Sequence, residues 1–108
     1  MLNRIHALKR FGRPMLCTEY MARPFKNTFQ EILPLLKEHN VGAYCWGFVE
    51  GKTQTHCPWD SWQVRYENEP ELWFHDIFRE NGEPYIQDEV DYLRGLLKGV
   101  EKEELELV

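Results

Sequence analysis

The sequence predicts an α/β fold organised on a parallel β-α-β unit, and three stretches carry that expectation. Residues 41–49 run for nine positions without a charge and are rich in β-branched and aromatic types. Such a run fits a strand covered on both faces, as in a parallel sheet. Residues 14–21, P-M-L-C-T-E-Y-M, form a second apolar segment broken by one charge, Glu19. Between them, residues 28–40 carry the clearest helical signal of the chain. Strand, helix and strand in that order predict a right-handed crossover between parallel neighbours.

Each element follows from its own residues. Residues 2–11 read as a helix, with Leu2, Ile5 and Leu8 three apart and Gly12 as its stop. Arg13-Pro14 is a short connector. In 14–21, period two places Met15, Cys17 and Glu19 on one face and Leu16, Thr18 and Tyr20 on the other. In 28–40, Thr28 and Glu31 form a T-x-x-E capping box, and Phe29, Ile32, Leu33 and Leu36 share one face. Pro34 removes one backbone bond from that helix, and Asn40 suits the left-handed stop position. Strand 41–49 breaks at Gly51 into a polar loop that carries Trp59 and Trp62. The span 50–83 is too long for an ordinary connector, which points to a functional loop. Within it, 73–78 predicts a short strand and Asn81-Gly82 a turn. A last helix is expected over 88–98, with Val90, Leu93 and Leu97 inward and Gly99 as its end. The domain is thus expected over 1–100, followed by an acidic tail at 101–108 left disordered.

Composition bounds the function. The 108 residues allow one domain with a modest core. A net charge of -5 without a Lys/Arg cluster argues against nucleic acid or an anionic membrane as partner. Three cysteines (Cys17, Cys45, Cys57) without C-x-x-C spacing indicate neither a disulfide framework nor zinc. The four histidines show no ligand spacing, so neither metal nor cofactor is expected. The first twelve residues hold Arg4, His6, Lys9 and Arg10 and lack an apolar stretch, so they do not read as a signal peptide. Localisation is left open.

Two residues carry the chemistry. A glutamate within an apolar strand must be paired, hold its proton more tightly, or open into a polar cavity. Glu19 is therefore either a functional carboxylate or an exposed strand end. Trp46, delivered toward the end of its strand beside an aromatic loop, is either core or the floor for a flat ligand.

Taken together, R-P-M-L-C-T-E-Y-M-A-R, G-A-Y-C-W-G-F-V-E-G-K-T-Q-T, P-W-D-S-W and W-F-H-D-I-F-R-E-N-G-E-P-Y resemble the C-terminal part of TIM-barrel glycoside hydrolases. The likeness is to the family 5-like group of cellulases and 1,4-β-xylanases, and it spans residues 13–97. It implies a C-terminal fragment of a (β/α)8 barrel, with 14–21 as the seventh strand, 41–49 as the eighth and 88–98 as the closing helix. It further implies that Glu19 is the nucleophile of a retaining glycosidase and that Trp46 is the aromatic platform beside the scissile bond. A carboxylate that attacks the anomeric carbon and an indole that stacks on a pyranose suit those roles. Tyr20, Lys52, Gln54, Trp59, Asp60 and Trp62 are further candidates for lining the same mouth. Family members that digest polysaccharide are often secreted or periplasmic.

The departures from the family are two. Its general acid is the glutamate of an Asn-Glu pair after the fourth strand, ahead of the nucleophile in the chain. Asn68-Glu69-Pro70 matches by letters but follows the second strand, and reads as coincidence. A barrel also needs eight strands and about 250 residues. The expectation is therefore a fragment that is inactive alone, with the remaining barrel or a second copy as partner and a carbohydrate as substrate. A non-catalytic carbohydrate-binding module and an oligomeric α/β interaction domain are the alternatives.

Overall fold

The computed structural model describes residues 1–107, with side chains over residues 1–99. Its elements in chain order are helix α1 (Leu2–Lys9), strand β1 (Leu16–Cys17), helix α2 (Phe29–Glu38), strand β2 (Gly42–Ala43) and helix α3 (Gln87–Leu107). Single 3-10 turns lie at Arg23–Phe25 and Trp59–Trp62. The two strands are parallel, with Leu16 opposite Gly42 and Cys17 opposite Ala43, and α2 makes the crossover between them.

α1 ends where Gly12 takes a left-handed φ of 63°, and its expected face packs through Ile5 alone. Leu2 and Leu8 stay exposed. α2 buries Phe29, Ile32 and Leu36, as their spacing predicts, and Asn40 supplies the left-handed stop at φ 56°. Thr28 stands at the N-cap, but its side chain makes no capping hydrogen bond, so the expected capping box is not closed. α3 does not stop at Gly99. A glycine inside a helix costs only about 1 kcal/mol, and the Glu-, Lys- and Leu-rich residues beyond it favour continuation to Leu107. The side chains of the tail expected at 101–108 lie outside the described residues. Of the three inward positions expected on α3, Val90 is buried, Leu93 is half-buried and Leu97 is exposed.

The strands are shorter than 14–21 and 41–49, and the backbone explains why. Pro14 has no N–H to give a ladder, and Gly47 turns the second segment at a φ of 86°. Beyond that turn the chain pairs elsewhere. The N–H groups of Ile77 and Phe78 both donate to the Phe48 carbonyl, and Glu50 donates to that of Phe78. The expected strand 73–78 therefore pairs at its end, through a parallel bridge between Val49 and Phe78 and an antiparallel one between Phe78 and Pro84. The Asn81-Gly82 turn follows, with Gly82 at φ 89° and the Asn81 side chain accepting from the Glu83 N–H.

One apolar cluster holds these pieces. Ile5, Tyr20, Met21, Phe29, Ile32, Leu36, Ile77 and Val90 form it, with Met15, Cys17, Val41 and Cys45 packed against it from the sheet. The opposite face is open: Leu16, Tyr44, Trp46 and Phe48 are each at least half exposed. The second strand is thus not covered on both faces as its composition suggests. The helices among the described residues cover one side only.

Candidate active site

The site begins where β1 gives up its alternation. Met15 and Cys17 face the core and Leu16 and Thr18 face solvent, so the next inward position would belong to Glu19. A carboxylate cannot enter that apolar cluster without a partner. The backbone leaves the ladder after Cys17, and Glu19 emerges exposed while Tyr20 and Met21 are buried. Glu19 is thus an exposed strand-end carboxylate that also lines a cleft.

Arg23 locks the next residues in place. Its guanidinium makes a two-pronged pair with Glu89 on α3, at 2.8 and 2.7 Å. It also donates to the carbonyls of Trp73 (3.2 Å) and Asp76 (2.8 Å), and it lies over the Tyr85 ring. Both charges are almost wholly buried, a state tolerable only because each is paired and its donors and acceptors are used. This pair ties the segment after β1, the 73–76 segment and α3 into one body.

Asp76 is fully buried beside that anchor. The Thr55 hydroxyl donates to its carboxylate and lies 2.8 Å from each oxygen. His56 Nδ1 stands 3.8 Å from Oδ2. The carboxylate packs so closely on Gly47 that a Cβ there would sit 2.6 Å from Oδ1. Gly47 is thus required twice, by its left-handed φ and by this contact. It steers the chain directly after Trp46.

The neighbouring His75 is 6 % exposed and accepts a 2.8 Å hydrogen bond at Nε2 from the Trp59 indole. Its Nδ1 is buried without a hydrogen-bond partner. Burial holds this imidazole below the ordinary histidine range. Trp59 is also stacked on Phe25 at 5.0 Å and edge-on to Phe74, yet its residue remains 55 % exposed. It is a fixed aromatic surface with one side open.

These segments enclose a cleft of about 480 Å³. Of the residues the sequence nominates, Glu19, Tyr20, Trp46, Gln54 and Trp59 line it together. Glu19 is the one acidic side chain among the described residues on its wall, and Trp46 presents a half-exposed indole to the same space. Burial raises the Tyr20 phenol above its usual range, so it is present as a neutral hydroxyl. Lys52, Asp60 and Trp62 are not on this wall. Lys52 lines a separate hollow with Glu50, His56 and Glu80. Asp60 accepts a 2.6 Å hydrogen bond from the Tyr66 hydroxyl, and Trp62 is 80 % exposed along residues 63–67. Glu69 is ion-paired with Arg79 at 2.6 Å, away from the cleft.

Asn27, Thr55, Cys57 and His75 also line the cleft and were not singled out from the sequence. The available signal for His75 was a His-Asp pair inside the apolar run W-F-H-D-I-F, where two polar groups must find partners when buried. Burial raises the Cys57 thiol and lifts that of Cys45 to about 11, so both are protonated thiols at neutral pH. Among the described residues no group of His, Cys, Asp and Glu is arranged to hold a metal ion. No family model matches the chain, and neither the curated proteins nor the solved structures contain a match to it.

Proposed function

We propose that this chain supplies the C-terminal portion of a retaining (β/α)8 glycoside hydrolase acting on β-linked polysaccharide or oligosaccharide, in the manner of cellulases and xylanases. Glu19 is the nucleophile, and Trp46 and Trp59 are the faces on which pyranose rings stack. The observation that carries this reading is a single acidic side chain among the described residues sharing a cleft with two half-exposed indoles, in the loops that follow two parallel strands. Ligand sites of α/β barrels lie at that end of the strands. The open sheet face of Leu16, Tyr44 and Phe48 supports the same reading, because a closed barrel needs eight strands to cover it.

In this scheme the Glu19 carboxylate attacks the anomeric carbon as the glycosidic C–O bond breaks, giving a glycosyl ester. Water then cleaves the ester and frees Glu19. The departing oxygen needs a proton from a second carboxyl group about 5–5.5 Å from the first. None of the described residues on the cleft wall offers one, so the chain alone should not hydrolyse an ordinary glycoside.

A leaving group that needs no proton isolates the first step. Incubation with 2,4-dinitrophenyl 2-deoxy-2-fluoro-β-cellobioside should esterify Glu19, read by mass spectrometry of the peptide that contains it. Glu19→Gln should abolish the label. Absence of label with cellohexaose binding that survives Glu19→Gln would instead make the cleft a non-catalytic carbohydrate-binding site. Absence of both would leave an interaction domain whose open face takes a protein partner.

A further inference from the structure

We propose that His75 is the positioning residue for the Trp59 platform, and that the cleft keeps its sugar-stacking shape only while the His75 imidazole is neutral. The role given to His75 rests on the sugar-binding reading of the cleft, whereas the coupling of His75 to Trp59 stands without it.

An indole N–H can only donate. With Trp59 Nε1 2.8 Å from His75 Nε2, that nitrogen must be the acceptor, and the single proton of the ring sits on Nδ1. The two rings lie 6.1 Å apart and within 23° of parallel, and Phe25 stacks on the indole at 5.0 Å. The hydrogen bond is thus the directional contact that sets the angle of the platform inside an otherwise apolar nest. A proton added to Nε2 sets two donors against each other and leaves a cation in a pocket that is almost closed to solvent. The bond is lost, and the indole is free to turn out of the cleft.

The charged groups around His75 compete. Burial depresses its pKa most, and the Arg23 guanidinium adds to that effect. The Met21 backbone and the carboxylates of Asp76 and Glu19 oppose it, and the net direction is below 6.5. His56 lies beyond Asp76, 3.8 Å from its Oδ2. The unfolded chain therefore takes up this proton at a higher pH than the folded one does. The His75 contribution to stability is intact above about pH 6.5 and falls away as pH drops through the folded-state pKa.

The test is an NMR titration of the ¹⁵N-labelled chain from about pH 7.5 to about pH 4.5. It follows the Trp59 indole N–H beside the His75 ring signals, with cellohexaose binding measured at both ends. The Trp59 signal should move with the His75 midpoint, below 6.5. That of the exposed Trp62 should not follow it. Cellohexaose should bind about tenfold more weakly on the acid side, the loss expected for one ordered hydrogen bond. His75→Gln keeps an acceptor within reach and cannot titrate, so indole shift and affinity should stay near native and become flat with pH. A residue with a merely structural role would not give that flattening.

His75→Phe should lose the downfield indole signal at every pH. If that variant fails to fold, the native titration and His75→Gln still decide. A Trp59 signal indifferent to His75 protonation, or an unchanged pH dependence in His75→Gln, overturns the positioning role. A clean Trp59 titration with no cellohexaose binding at any pH overturns the sugar reading alone.

Discussion

The two faces of the short sheet are built from the same alternation and meet opposite fates. One face sends Met15, Cys17, Val41 and Cys45 against a helix-covered cluster centred on Phe29, Leu36 and Ile77. The other leaves Leu16, Tyr44, Trp46 and Phe48 to solvent. An alternating apolar strand makes two apolar faces, and three helices on one side cover only one of them. Stability is therefore concentrated on the helix side, and the proposed sugar recognition falls to the open side and to the loops at its end. The tryptophans follow the same division. Trp73 is fully buried and stacked at 4.4 Å on Tyr85, whereas Trp46 and Trp59 stay half-exposed on the cleft.

Removing the anchor on the closed side should have the largest effect. Glu89→Ala leaves the Arg23 guanidinium buried without its partner, which should cost about 3–5 kcal/mol. In a small domain that is a large part of the whole, so urea denaturation should show loss or near-loss of a cooperative transition. A shift below about 1 kcal/mol would mean that solvent reaches Arg23. The comparison itself is tested by one residue type at two places. Leu36→Ala, at 1 % exposure, should cost about 2–5 kcal/mol. Leu16→Ala, at 65 % exposure, should stay within about 0.5 kcal/mol. Equal losses in chemical denaturation would mean that the open face is covered in solution.

A smaller effect than those at Glu89 and Leu36 should come from the hinge between the two regions. Gly47→Ala must place a Cβ against the Asp76 carboxylate in a left-handed backbone. A cost of about 1–3 kcal/mol is expected from the strain. Because the displaced backbone carries Trp46, the fluorescence of that indole should change even where the chain remains folded. An unchanged spectrum and stability would detach Gly47 from the site.

Local patterns made much of the fold legible. The stops at Gly12 and Asn40 and the turn at Asn81-Gly82 are left-handed positions occupied by residues that tolerate them. The buried face of α2 follows from four apolar residues at helical spacing. The family resemblance implied a shared mouth for Glu19, Trp46 and Trp59, and the three line one cleft. The expected lining roles of Lys52, Asp60 and Trp62 do not match where those residues sit. Nothing local says which way a loop side chain points, and Asp60 turns instead to Tyr66.

By itself the sequence determined the order of helix and strand, the parallel β-α-β pairing and the presence of one carboxylate that an apolar strand could not bury. Those properties depend on residues within a few positions of each other. Tertiary structure decided the rest: where each strand leaves its ladder, which face stays open, and how His75 holds Trp59 while Arg23 holds Glu89. The last pair joins residues 66 positions apart, and such partners leave no periodic trace. They are chosen only when burial removes water and obliges each polar group to find another.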